Sequence, residues 1–324
     1  MNLALSAITD ELRRLQAAGV RRVSVSEEAL AALRSAARAM RPAAPPPSPA
    51  VPLSAAAGPF SANAGPGVGR VVPNPPAAAE GRPRPGALGT TRPTTPPPPS
   101  LADLRARLQA LPDKTARWAA LREIVRDDPN CRAHVRPGKQ VVVGVGDVDA
   151  RIFFVGEAPG AEEEVQGEPF VGPAGQLLNR MIAGMGLERG QVYIGNIMNW
   201  RPEMPVDAAG AQFGNRPPTA AEMAYCLPYL LAQIDIVEPT VLVALGATAS
   251  QGLLGAGTFK ALGEVRGRWH TYAGKPLMVT YHPSYILRNQ TNQSKRLIWE
   301  DLLKVMERAE LPVSDRQRRY FLDK

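Results

Sequence analysis

Four short apolar runs between residues 151 and 282 constrain the fold more than any other feature of the chain. They are Arg151–Glu157 (RIFFVGE), Val192–Ile197 (VYIGNI), Thr240–Gly246 (TVLVALG) and Pro276–His282 (PLMVTYH). Each is too short for a core helix and does not alternate polar with apolar, so each reads as a strand buried on both faces. Helical patterns lie between them. Gly172–Gly186 places Leu177, Leu178, Met181, Ile182 and Met185 on one stripe, and Thr219–Glu222 is a capping box opening a helix through Ile236. A last helix, Arg296–Glu310, turns Leu297, Leu302, Leu303 and Met306 inward. Strands alternating with helices in this way predict a doubly wound α/β fold: three α/β/α layers around a central four-stranded, mostly parallel sheet. Ligands bind such sheets beyond the carboxyl ends of the strands. Three of the four runs end there in polar residues, Glu157, Asn196 and His282.

The rest of the chain is organised by proline. Residues 41–100 hold 18 of the 33 prolines, with 12 alanines, 7 glycines, five arginines and one acid, Glu80. A segment of that composition buries too little apolar surface to offset its chain entropy, so it reads as a disordered, partly polyproline linker. It separates a short helical head, 1–40, from a body, 101–324. The head carries Leu5, Ile8, Leu12 and Leu15 at helical spacing and is too small to be a secure domain alone. It reads either as a docking segment for a protein partner or as decoration without a role of its own. Head and linker together hold 11 of the 38 basic residues and 5 of the 30 acids, so most of the net charge of +8 lies outside the body. A basic tether of this kind reads equally as a merely soluble connection or as a source of non-specific attraction to nucleic acid.

Two cysteines, Cys131 and Cys226, exclude a disulfide-rich secreted scaffold. No apolar run reaches the roughly 18 residues of a membrane span. Asp10 and Glu11 interrupt the only stretch that could pass for a signal peptide. The expectation is a cytoplasmic monomer with no membrane contact.

Taken singly, the three polar strand ends have ordinary explanations. A glutamate after a strand caps a helix more often than it catalyses, and an asparagine there usually makes a turn. His282 stands before Pro283, which holds it extended ahead of a rigid turn. Together on one edge, the three read as a hydrolytic or base-recognition site.

The motifs around them carry a resemblance. Gly156-Glu-Ala-Pro-Gly160, Glu168-Pro-Phe-Val-Gly-Pro-Ala-Gly-Gln-Leu177, Asn196, Gly214-Asn-Arg-Pro-Pro-Thr219 and His282-Pro-Ser-Tyr-Ile-Leu-Arg288 resemble, in order and spacing, the family 4 uracil-DNA glycosylases. The likeness runs from about Val141 to Glu310. It implies a monofunctional glycosylase that hydrolyses the N-glycosidic bond of deoxyuridine in DNA, releases uracil and leaves an abasic site for base excision repair. The target base is flipped into a pocket. The resemblance puts Phe170 in stacking contact with uracil, Asn196 on its Watson–Crick edge and Ala158 beside it. His282 then donates a hydrogen bond to O2 of the leaving anion, and Glu157 positions water or favours the sugar cation. Ser284 contacts a phosphate, and Ile286, Leu287 and Arg288 wedge into the gap left by the flipped base. The rival reading is a catalytically weak nucleic-acid-binding module that kept the fold. Retention of Glu157, Phe170, Asn196 and His282 together favours the enzyme.

One departure is plain. The family's usual four cysteines hold a [4Fe–4S] cluster, and here only Cys131 and Cys226 stand at those positions. Asp128 and Trp200 occupy the other two. Four thiolates are the normal requirement, and an indole is no substitute. The sequence therefore predicts remnants of a cluster site without the cluster, and no required cofactor. The expected filling of that volume is Trp200, with its indole N–H bonded or wet.

Overall fold

The computed structural model describes residues 97–206, 212 and 214–322, all within one compact unit. The head, nearly all of the proline-rich stretch, and residues 207–211 and 213 of the loop that follows Trp200 lie outside the described residues, and so do the expectations made for them.

Six strands form one sheet: β1 (Val145–Gly146), β2 (Ile152–Gly156), β3 (Tyr193–Asn196), β4 (Val241–Leu245), β5 (Trp269–Tyr272) and β6 (Lys275–Thr280), in the order β1-β3-β2-β4-β6-β5. The middle four are parallel and coincide with the four apolar runs. The two edges, β1 and β5, are antiparallel additions. β1 is only two residues long, and β5 has no buried residue, so neither leaves an apolar signature in the sequence.

Every residue of β2, β3 and β4 is buried, as strands covered on both faces must be. Alternation along β2 sorts its side chains into the two layers. Ile152 and Phe154 join Leu177, Leu178 and Met181 of the helix Pro173–Gly184 and Ile298 and Leu302 of the helix Asn292–Arg308. Phe153 and Val155 face the other way, toward Leu230 and Ile234 of the helix Ala220–Val237 and Leu253 of the helix Ala247–Leu254. Each such fully buried side chain contributes about 1.5–3 kcal/mol of transfer free energy. A third cluster forms where the helices Leu101–Gln109 and Lys114–Asp127 lie on Ala220–Val237 through Leu104, Leu108, Leu121 and Val125.

Thr219 closes the expected capping box: its hydroxyl accepts from the Glu222 N–H, and the Glu222 carboxylate accepts from the Thr219 N–H. The helix expected from Arg296 starts four residues earlier, at Asn292, capped by Thr291, and a four-residue helix, Asp315–Arg318, follows it. The first turn at Asn292–Lys295 is wholly polar and hides the start from a hydrophobic reading. Among the described residues no helix is long and apolar enough to cross a membrane.

Candidate active site at the carboxyl edge of the sheet

The register of the parallel strands sets the site. Gly156 pairs with Asn196 across β2 and β3, and Leu245 pairs with Thr280 across β4 and β6. Continuing each strand outward brings Glu157, Asn196, Gly246 and His282 to one edge of four adjacent strands. Gly156 is required by close approach: a Cβ there would run into both Asn196 Oδ1 and the Phe170 ring. The missing side chain lets the amide and the ring pack against the same backbone.

Asn196 is 6% exposed, and its Oδ1 is buried with no hydrogen-bond partner. An orphaned buried acceptor costs on the order of 1–3 kcal/mol, a cost that persists where a ligand supplies the missing donor. Phe170 is 5% exposed and sits at φ 54°, a left-handed conformation that non-glycine residues rarely take. Its ring centroid lies 5.6 Å from that of His282, with the planes inclined by 31°. The Glu163 carboxylate braces this loop, accepting from the N–H groups of Val171 and Gly172 at 3.1 Å and from that of Gly160 at 3.1 Å. Sequence reasoning missed Glu163. Its only signal is a run of three glutamates, 162–164.

His282 caps the short helix Pro283–Arg288: its Nδ1 accepts from the Ser284 N–H at 3.2 Å, and the Ser284 hydroxyl lies 2.9 Å from the same nitrogen. An Nδ1 that accepts from a backbone N–H carries no proton, so the neutral ring holds its proton on Nε2. Burial, aided by the Arg288 charge, lowers the imidazole pKa to about 4, which keeps the ring neutral near pH 7. Glu157 is shifted upward by burial, opposed by a hydrogen bond from the Thr248 hydroxyl. Thr248 stands in the first turn of the helix that follows β4, and nothing in the sequence marked it.

The segment after His282 corrects one expectation. Ile286 is 0% exposed and belongs to the core, so it is no wedge. Pro283 starts a helix in which residues three apart share a face, and that face, Pro283 and Ile286, turns inward. Leu287 is half-buried and Arg288 is exposed, which leaves those two at the surface. Ser284 is engaged with His282, and Ala158 is half-buried against the cluster around the cysteines.

That cluster occupies the region of the two cysteines. Cys131 and Cys226 are fully buried free thiols joined by a hydrogen bond, and that bond, with burial, drives the Cys131 pKa upward. The Asp128 carboxylate accepts from the hydroxyls of Tyr225 (3.0 Å) and Tyr229 (2.9 Å) and caps the turn holding Cys131. Trp200, 1% exposed, stacks on His134 with ring centroids 4.8 Å apart and meets Tyr225 edge-on. Its indole N–H, expected to be bonded or wet, finds no partner in the protein. Two thiols, an engaged carboxylate and an indole do not fit a four-thiolate cluster. Among the described residues no three His, Cys, Asp or Glu side chains stand together as metal ligands.

Comparison with known proteins agrees with this geometry. Residues 143–303 match the family model of the Uracil DNA glycosylase superfamily. The chain is 43% identical over 185 residues to the type-4 uracil-DNA glycosylase of Thermotoga maritima, covering 56% of this chain and 89% of that protein. It is 37% identical over 176 residues to the type-4 uracil-DNA glycosylase of Pyrobaculum aerophilum, with 52% and 83% covered. The type-4 enzyme of Archaeoglobus fulgidus is 38% identical over 177 residues, with the same shares covered.

Proposed function

The chain belongs to the type-4 uracil-DNA glycosylases, within the uracil DNA glycosylase superfamily, and on that premise we propose how its residues divide the reaction. The protein is a uracil-DNA glycosylase, a hydrolase of base excision repair that acts on uracil-containing DNA. The observation that carries the assignment of roles is the orphaned Asn196 Oδ1 beside the Phe170 ring and a neutral His282.

A flipped uracil stacks on Phe170 and presents its N3–H to Asn196 Oδ1 and its O4 to the amide NH₂. Cytosine offers an acceptor at N3 and a donor at C4, so the same fixed amide rejects it. As the bond between C1′ and N1 breaks, its electron pair leaves with the base, and charge grows on O2. The Nε2–H of neutral His282 stabilises that charge by a hydrogen bond preorganised through Ser284. Glu157, held by Thr248, orients the water that adds to C1′ and favours the positive charge on the sugar. The water's proton is lost to the carboxylate or to solvent. Leu287 and Arg288 face the DNA, Arg288 against its phosphates.

The reaction as written uses no metal. The region of the two cysteines acts as a structural plug in which Trp200, Tyr225, Tyr229 and Asp128 fill and satisfy the volume, and no intact [4Fe–4S] cluster is required. A binding module without activity is disfavoured, since Glu157, Asn196 and His282 stand together at one strand edge with the Phe170 ring beside them. The test is a gel assay on an oligonucleotide with one uracil. Strand cleavage only after alkali is the expected result; uncut DNA after alkali contradicts the proposal.

A further inference from the structure

Phe170 holds an unfavourable backbone conformation, and the Glu163 brace secures N–H groups, those of Gly160, Val171 and Gly172, but no carbonyl. The carbonyls of Pro169 and Phe170 are held by a residue outside every motif. Arg189, in the 3-10 turn Arg189–Gln191 just before β3, sends one guanidinium nitrogen to the Pro169 carbonyl at 2.6 Å. Its other terminal nitrogen reaches the Phe170 carbonyl at 3.2 Å and Asn179 Oδ1 at 3.0 Å. Asn179 lies on the helix Pro173–Gly184, so one planar fork ties the ring-bearing loop to that helix and to the approach to β3. The same helix leaves no slack, because a Cβ at Gly175 would run into the Phe170 carbonyl. Glu163 and Glu168 place negative charge near the guanidinium, which is half-buried.

We propose that Arg189 is a positioning residue for base recognition: its guanidinium clamps the Pro169 and Phe170 carbonyls and so holds the Phe170 ring in the plane that receives the flipped uracil. The inference rests on the reading of Phe170 as the stacking surface. A lysine offers a point charge rather than a fork and cannot serve the three acceptors together. Misplacing the ring forfeits the stacking of one base, a loss on the order of tenfold to a hundredfold.

The test is a double-mutant cycle in the full chain with Arg189→Ala, Phe170→Leu and the pair. Its readouts are single-turnover uracil release and inhibition by free uracil, beside the melting temperature. Arg189→Ala is expected to slow release and weaken uracil inhibition by similar factors, with Arg189→Lys intermediate. In the Phe170→Leu background, Arg189→Ala should cost almost nothing further, because no ring remains to be placed. A merely structural arginine would lower the melting temperature and leave uracil inhibition of the folded protein intact. An undiminished loss in the Phe170→Leu background, or normal release by Arg189→Ala, overturns the clamp. If Phe170→Leu alone changes neither readout, the stacking role of Phe170 fails first and the clamp falls with it. Should Arg189→Ala not fold, Arg189→Lys runs the same cycle with the same criteria.

Discussion

Two regions of one domain have been treated in opposite ways. At the carboxyl edge of the sheet, the chain tolerates unfavourable features: a phenylalanine at φ 54°, a buried amide oxygen without a partner, a carboxyl and an imidazole shifted toward their neutral forms. Around Cys131 and Cys226, Asp128 and Trp200 stand where the resemblance would place the other two thiolates, and they are engaged in ordinary contacts. At the strand edge the strain and the unmet hydrogen bond lie on residues assigned to chemistry, whereas the region of the two cysteines packs as core. Two buried groups there are left over, the Trp200 indole N–H and the Oδ1 of its neighbour Asn199.

The sharpest way to break this contrast is to exchange the two kinds of damage. Trp200→Ala should remove a fully buried indole and cost about 3–5 kcal/mol of stability, read as a large fall in melting temperature. The folded fraction should still release uracil at the wild-type rate. His282→Ala should do the reverse. The lost helix cap costs about 1 kcal/mol, while single-turnover release falls on the order of 100- to 1,000-fold, or about 3–4 kcal/mol. A Trp200 variant slow in chemistry, or a His282 variant merely unstable, would merge two regions that the account keeps apart.

Asn196→Asp probes recognition. It should weaken uracil release by about 1–3 kcal/mol through a mismatched buried group, and a protonated carboxyl should admit slight release of cytosine. Release from matched uracil and cytosine oligonucleotides measures both.

Those expectations began in the sequence, and the reasons for its reach are physical. Strands buried on both faces must be apolar throughout, so β2, β3, β4 and β6 were visible as runs, and their polar exits Glu157, Asn196 and His282 stood out against them. Ile286 misled because a short apolar tripeptide after His-Pro reads equally as a surface wedge or as one buried face of a helical turn. Only tertiary contact decides for the core. Thr248, Glu163 and Arg189 left little trace, since each acts through a hydrogen bond to a distant segment, and no local pattern records that bond. The left-handed Phe170 was equally hidden, because its strain is held by those partners.

A further expectation concerns pH. His282 ionises near 6.5 in the unfolded chain and at about 4 in the folded one. As pH falls through that window, the unfolded chain takes up a proton that the folded chain refuses, so stability drops with falling pH. His282→Asn, which can still cap the helix, should flatten that part of the profile in denaturant titrations between pH 7 and 4. An unchanged slope would place the imidazole in a more polar setting than its burial implies.

The central claim is that the strand edge releases uracil without help from the site of the two cysteines. Protein purified without exposure to oxygen, analysed for iron and assayed on a uracil-containing oligonucleotide, tests it most directly. The account predicts full conversion to an alkali-labile abasic site by protein that lacks iron and the broad iron–sulfur absorption. Protein carrying about four irons per chain, and losing uracil release when the iron is removed, would contradict it.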